Sequence, residues 1–268
     1  MVTVFPALLL AQAVTMPAAL EVWLEDIARL SSSRLVVLEV DVKPGQRTIP
    51  LPANRAHYAL LGQDFVYPPT VAHIAETEVT TIAHRESSIS FVVVNTALLK
   101  GEAEREAAIA HEFGHLWMRA SGYPTPQPLT GPAACLTTAA EDIAGHPLIR
   151  KGMTRRGIPW LDPWVGALTP ALAAMEQLPS NQPSEPRCRA LSQVSLYIDV
   201  SLNLTAGMWP VRQHFLEVMD DRYPVSSRVA RDLLTALGSF DLSVKAAHRK
   251  ALQFVFAELK SFALTIPE

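Results

Sequence analysis

Ala110-His111-Glu112-Phe113-Gly114-His115-Leu116-Trp117 decides how the rest of this sequence is read. At about 100° per residue, His111 and His115 stand roughly 40° apart on one helix face, so both imidazoles reach a common point. Two neutral imidazoles completed by a carboxylate are the usual zinc set, with one position left for water. Glu112 projects beside the histidines, where it can take a proton from that water.

The flanks extend this segment to a helix over 102–120. Glu102, Glu104 and Glu106 fall in its first turns, where the helix dipole favours negative charge, and Arg119 suits the other end. Gly122 and Pro124 supply the stop. Ala108, His111, Glu112 and His115 share one side, and Ile109, Phe113, Leu116 and Trp117 the other. The apolar side is expected to anchor the helix while the histidines face a cleft. Gly114 leaves room for close approach of a neighbouring segment.

Upstream, Ala18 to Leu30 reads as an amphipathic helix. Leu35 to Val42, the run Val79-Thr80-Thr81-Ile82, and Ser88 to Asn95 read as strands from their β-branched content. The expected fold is therefore α+β, a small mixed sheet packed on the histidine helix. Downstream, a helix from about Pro132 to Ala144 is expected to break or restart at Gly145-His146-Pro147. Beyond Trp164 the segments 167–178, 189–208, 210–220, 227–237 and 242–264 read as mainly helical, although 194–204 is β-branched enough to allow a strand. This divides the chain into a catalytic domain over 14–165 and a helical region over 166–268, separate or continuous with it.

A two-histidine site needs a third ligand. The first choice is Glu141, on the next helix among small residues that permit close packing. Thr138-x-x-Glu141 also fits a capping box, which would make Glu141 a helix start; Pro132 argues for an earlier start and against the cap. Asp142 and His146 are the competing ligands, or partners that orient a metal-bound histidine.

Bulk properties set limits. With 268 residues, half of them apolar, the chain can bury a substantial core. A net charge of −3 excludes a polybasic nucleic-acid or membrane surface, and no apolar run reaches the length of a membrane span. Val2 to Leu10 followed by Ala11-Gln12-Ala13 has the apolar run and small-x-small form of an export segment over 1–13, without the usual preceding Lys or Arg. Export is the reading preferred, a cytoplasmic location the alternative. Cys135 and Cys188 would form one disulfide in an exported chain and stay as buried thiols in the cytosol.

The stretch from Phe91 to Met118, a strand ending in Asn95 and then Ala-Ile-Ala-His-Glu-Phe-Gly-His-Leu-Trp, resembles the zincin metallopeptidases, and among them the ImmA/IrrE-type group and its gluzincin relatives. The resemblance implies a zinc-dependent peptidase acting on a peptide or protein substrate, with His111, His115 and Glu141 as ligands and Glu112 as general base. It covers residues 88–150. The Asn-Glu-x-x-x-Asp form of thermolysin-like enzymes is missing, and Met118 and Ser121 stand where a metzincin would have Gly and His. The alternative function is a non-catalytic, zinc-stabilised sensor or partner-binding module that keeps the fold.

Overall fold

The β-branched runs pair with one another. In a computed structural model describing residues 17–31, 34–40, 79–84, 89–95, 99, 101–126, 129, 133–181 and 186–266, they form strands β1 (Arg34–Val40), β2 (Val79–His84) and β3 (Ile89–Asn95). The strand order is β1-β3-β2. β1 runs parallel to β3, with Val37 opposite Val92, and β2 runs antiparallel to it, with Thr81 opposite the same residue. Helix α1 (Ala18–Leu30) precedes them and buries Leu20, Trp23 and Ile27 from its apolar stripe. The export-type segment over 1–13 lies outside the described residues.

Helix α2 (Glu102–Ala120) carries both histidines of the motif. Its apolar side is buried, with Ile109, Phe113 and Leu116 at 2%, 0% and 8% exposure, and His115 on the other side is as buried as Leu116. Gly122 ends it as expected: at φ +76° it lets the Tyr123 N–H reach the Met118 carbonyl and its own N–H reach that of Arg119, each at 2.9 Å. This left-handed closure satisfies carbonyls that the last turn leaves open.

Among the described residues six further helices follow: α3 (Ala134–Arg155), α4 (Leu161–Glu176), α5 (Arg187–Asn203), α6 (Arg212–Arg222), α7 (Pro224–Leu237) and α8 (Lys245–Leu264). α3 packs on α5 and α8, α5 on α7, and α4 on α6. A disulfide between Cys135 and Cys188 ties α3 to α5. The chain divides into compact units over 1–113 and 114–268, and the division falls inside the continuous helix α2.

Two expectations are corrected. The fold is not α+β with a mixed sheet as its organising layer; it is predominantly helical. The strands are short, 7, 6 and 7 residues, whereas α3 alone runs 22. Most of the described residues lie in helices. The neighbour found against the histidine helix is likewise a helix, α3. The second correction concerns Gly145-His146-Pro147, which does not break α3. Proline in a helix interior costs about 3 kcal/mol. Buried side chains on either side, Ile143, Leu148 and Ile149 among them, contribute about 1.5–3 kcal/mol each, so tertiary burial overrides the local penalty. The 194–204 segment, open to a strand reading, is helical up to Asn203.

Gly114 and Gly145 set the approach of α2 to α3. A Cβ on Gly114 would lie 2.4 Å from Ile149 Cγ2, and one on Gly145 would lie 3.4 Å from Met118 Sδ. Gly114→Ala is accordingly expected to lower stability by about 1–3 kcal/mol, read as a lower urea midpoint at unchanged m-value. Adding Ile149→Ala removes the nearest atoms, so the double variant should lose less than the sum of the single variants; strict additivity would show that the two residues do not meet.

His248 on α8 offers a second test. It is 2% exposed, and its ring stands edge-on to Tyr123 at 5.3 Å. Burial holds its pKa below the ordinary imidazole value, against a hydrogen bond to backbone at Leu242 that acts the other way. The unfolded chain thus binds the proton more readily. The group's contribution to stability is complete above the free imidazole pKa of about 6.5 and is lost as pH falls below it. His248→Asn should therefore show a shallower loss of stability than wild type between about pH 7.5 and 5.5, measured by denaturant titration.

Candidate metal centre

The i, i+4 spacing of the motif places His111 and His115 on successive turns of α2, and α3 supplies the partner. Asp142, His146 and Arg150 recur every four residues along α3 and so line one face of it. His111, His115 and His146 each offer a ring nitrogen, and these nitrogens all lie within 4.8 Å of one another. His115 is 8% exposed, the His146 side chain 12%, and His111 half-buried.

Carboxylates surround this cluster. Asp142 Oδ1 lies 3.3 Å from His146 Nε2 and 3.9 Å from His115 Nε2. The opposite nitrogens face other acids: Glu141 Oε1 is 3.6 Å from His115 Nδ1, and Asp199 Oδ2 is 3.1 Å from His146 Nδ1. Each of these outer carboxylates is met by an arginine. Arg119 donates to Glu141 Oε1 at 2.9 Å. Arg150 donates to both oxygens of Asp199, Nε to Oδ1 at 3.2 Å and the second guanidinium nitrogen to Oδ2 at 2.7 Å. The Arg150 guanidinium in turn lies 3.5 Å from the Trp164 ring centroid and 5.0 Å from that of Trp160, and Asn203 Nδ2 donates to Asp199 Oδ1 at 2.6 Å.

Electrostatics follow from this arrangement. Burial pushes the Glu141 carboxyl up, but His115 and Arg119 outweigh it and bring it down to about 2. Burial likewise opposes ionisation of Asp199, yet His146 and Arg150 hold it well below the usual carboxylate range. For His146 burial disfavours the charged ring, and the carboxylates of Asp199 and Asp142 together push its pKa up.

The donor set suits a borderline-soft cation such as zinc. Bonds of about 2.0–2.1 Å in tetrahedral geometry place ligand nitrogens about 3.3–3.4 Å apart, within reach of side-chain rotation from a 4.8 Å cluster. The identity of the metal is not fixed by three imidazoles, which also suit copper, iron and nickel. Compared with protein-family models, curated proteins and solved structures, the chain matches none.

Of the residues singled out from sequence, His111 and His115 are brought together. His146, one of the two alternatives to Glu141, completes the cluster. Glu141 lies beside it, 3.6 Å from Nδ1 of His115. The capping-box alternative for Glu141 does not hold, because α3 begins at Ala134 and Thr138 sits inside it with its hydroxyl on the Ala134 carbonyl. Glu112 is half-buried on the same helix as the motif histidines. Asp199 and Arg150 belong to no motif in the sequence. Each is a charged residue inside an apolar helical run, Tyr197-Ile198-Asp199-Val200 and Leu148-Ile149-Arg150, where burial requires a partner.

Proposed function

We propose that the chain is a zinc-dependent hydrolase of peptide bonds, with His111, His115 and His146 holding the metal and Glu112 as general base. The observation that carries this reading is the convergence of three imidazole nitrogens within 4.8 Å, two of them from the His-Glu-x-x-His helix. Zinc held by these residues would supply Lewis-acid polarisation of a carbonyl and a more acidic water. Glu112, adjacent to His111 in the chain, takes the proton as water attacks and returns it to the departing amine. Glu141 orients His115 in place of ligating, an assignment that follows from its contact with the outer nitrogen. The peptide substrate rests on the resemblance of residues 88–150 to zincins. The Cys135–Cys188 bond supports export, since such bonds persist in oxidising compartments.

One observation favours a second reading, a purely structural zinc. Asp142 Oδ1 stands beside the Nε2 atoms of both His115 and His146, and a fourth protein donor would close the coordination shell that catalysis needs open.

The two readings separate in one experiment. Glu112→Gln is expected to keep stoichiometric zinc and lose about 10²–10⁴-fold in kcat/KM on a peptide library, while His146→Ala loses the zinc itself. Turnover unchanged in Glu112→Gln would remove the base. Bound zinc with no turnover in wild type, and stability that falls on chelation, would establish the structural role.

A further inference from the structure

We propose that Asp199, on α5, is a positioning residue for the metal centre: it holds the Nδ1 proton of His146 and so presents Nε2 to the metal. The inference rests on the metal reading above and extends it to a residue 84 positions beyond His115 in the chain.

The argument begins with the two nitrogens of His146. A neutral imidazole donates from one nitrogen and offers a lone pair on the other, and a carboxylate beside one of them decides which. Carboxylates flank both nitrogens of His146, Asp199 Oδ2 at 3.1 Å from Nδ1 and Asp142 Oδ1 at 3.3 Å from Nε2; with a metal taking the Nε2 lone pair, the proton that stays on Nδ1 faces Asp199. His115 shows the same polarity, with Glu141 Oε1 on its Nδ1 side. The Nε2 atoms of both rings stand within 3.9 Å of the same Asp142 oxygen. Outer carboxylates and inner nitrogens are thus arranged consistently on both histidines.

Asp199 itself is held so that it cannot turn away. It is 8% exposed. Arg150 meets both of its oxygens and Asn203 meets one of them. Arg150 is 7% exposed and is flanked by Trp160 and Trp164. A planar guanidinium stacked on an aromatic face and bidentate to a carboxylate has little freedom left. The corresponding brace on His115 is looser: its contact is 3.6 Å, and Arg119 reaches Glu141 from a side chain 44% exposed. The two braces should therefore differ in weight, with Asp199 dominant.

Zinc affinity tests this, measured by competition with a chromophoric chelator on the full chain. Asp199→Asn is expected to weaken zinc binding about 10–100-fold, Glu141→Gln less, and Asp199→Glu to recover part of the loss. In the zinc-loaded protein, nitrogen-15 spectra should show a protonated Nδ1 and a metal-bound Nε2 on His146 in wild type, and a perturbed Nδ1 proton in Asp199→Asn. A role confined to stability would lower Tm and leave both readouts unmoved. If Asp199→Asn fails to fold because Arg150 is left buried without its partner, the double variant with Arg150→Met removes that charge and should show the same zinc deficit. Affinity within about 2-fold of wild type in either variant overturns the proposal. Wild type that takes up no zinc overturns the metal reading and this one with it; zinc bound equally by wild type and Asp199→Asn overturns this one alone.

Discussion

The absence of a side chain at Gly114 is the constraint on which the centre depends. Where Ile149 sits, any Cβ on Gly114 would overlap it, so α2 and α3 approach as closely as their backbones and one isoleucine allow. His115 follows Gly114 directly, and His146 precedes Ile149 by three residues, just under one helical turn. The same crossing that packs the two helices therefore sets the distance between their imidazoles. Metal–nitrogen bonds vary by only about 0.2 Å, so helices forced apart by a methyl group would leave side-chain rotation a larger gap to close before three imidazoles could share an ion.

Charge is arranged around this crossing with a surplus of one sign. Glu141, Asp142 and Asp199 face the histidines, while Arg119 and Arg150 answer two of them. Buried carboxylates cost several kcal/mol each unless they are paired. Pairing here leaves Asp142 to the imidazoles, and a proton on His146 or a cation among the three rings balances it. A proton on His146 and a metal ion among the rings would be alternative ways of meeting the same electrostatic demand, so a metal binding here would have to compete with protons.

Local chemistry made part of this legible in the sequence. The span of α2, its Gly122 stop and its division into apolar and histidine-bearing sides follow from spacing and from the φ freedom of glycine. The run of helices beyond Trp164 follows from apolar periodicity. The dominance of helix over sheet did not follow, because β-branched runs such as Phe91-Val92-Val93-Val94 announce a strand without saying what share of the chain is helix. Pro147 misled for a related reason: the local cost of proline is visible in sequence, whereas the burial of Ile143, Leu148 and Ile149 that outweighs it is tertiary. The sequence does not choose between His146 and Glu141, since both lie on one helix and its rotation about its axis, set by the Gly114 crossing, decides which side chain faces the cluster. Asp199 lies on a helix that no motif connects to the histidines.

The disulfide has a geometric consequence for that remote helix. Cys135 precedes His146 by 11 positions, and Cys188 precedes Asp199 by the same 11. Two cross-links with equal spacing on both strands of a ladder require α3 and α5 to run in the same direction, in register, for three turns or about 16 Å. Parallel neighbours need a return path between them, and α4 lies in the connecting segment. The covalent rung at one end thereby indexes the ionic rung at the other: a slip of a single residue, about 1.5 Å along the axis, would carry Asp199 out of reach of His146.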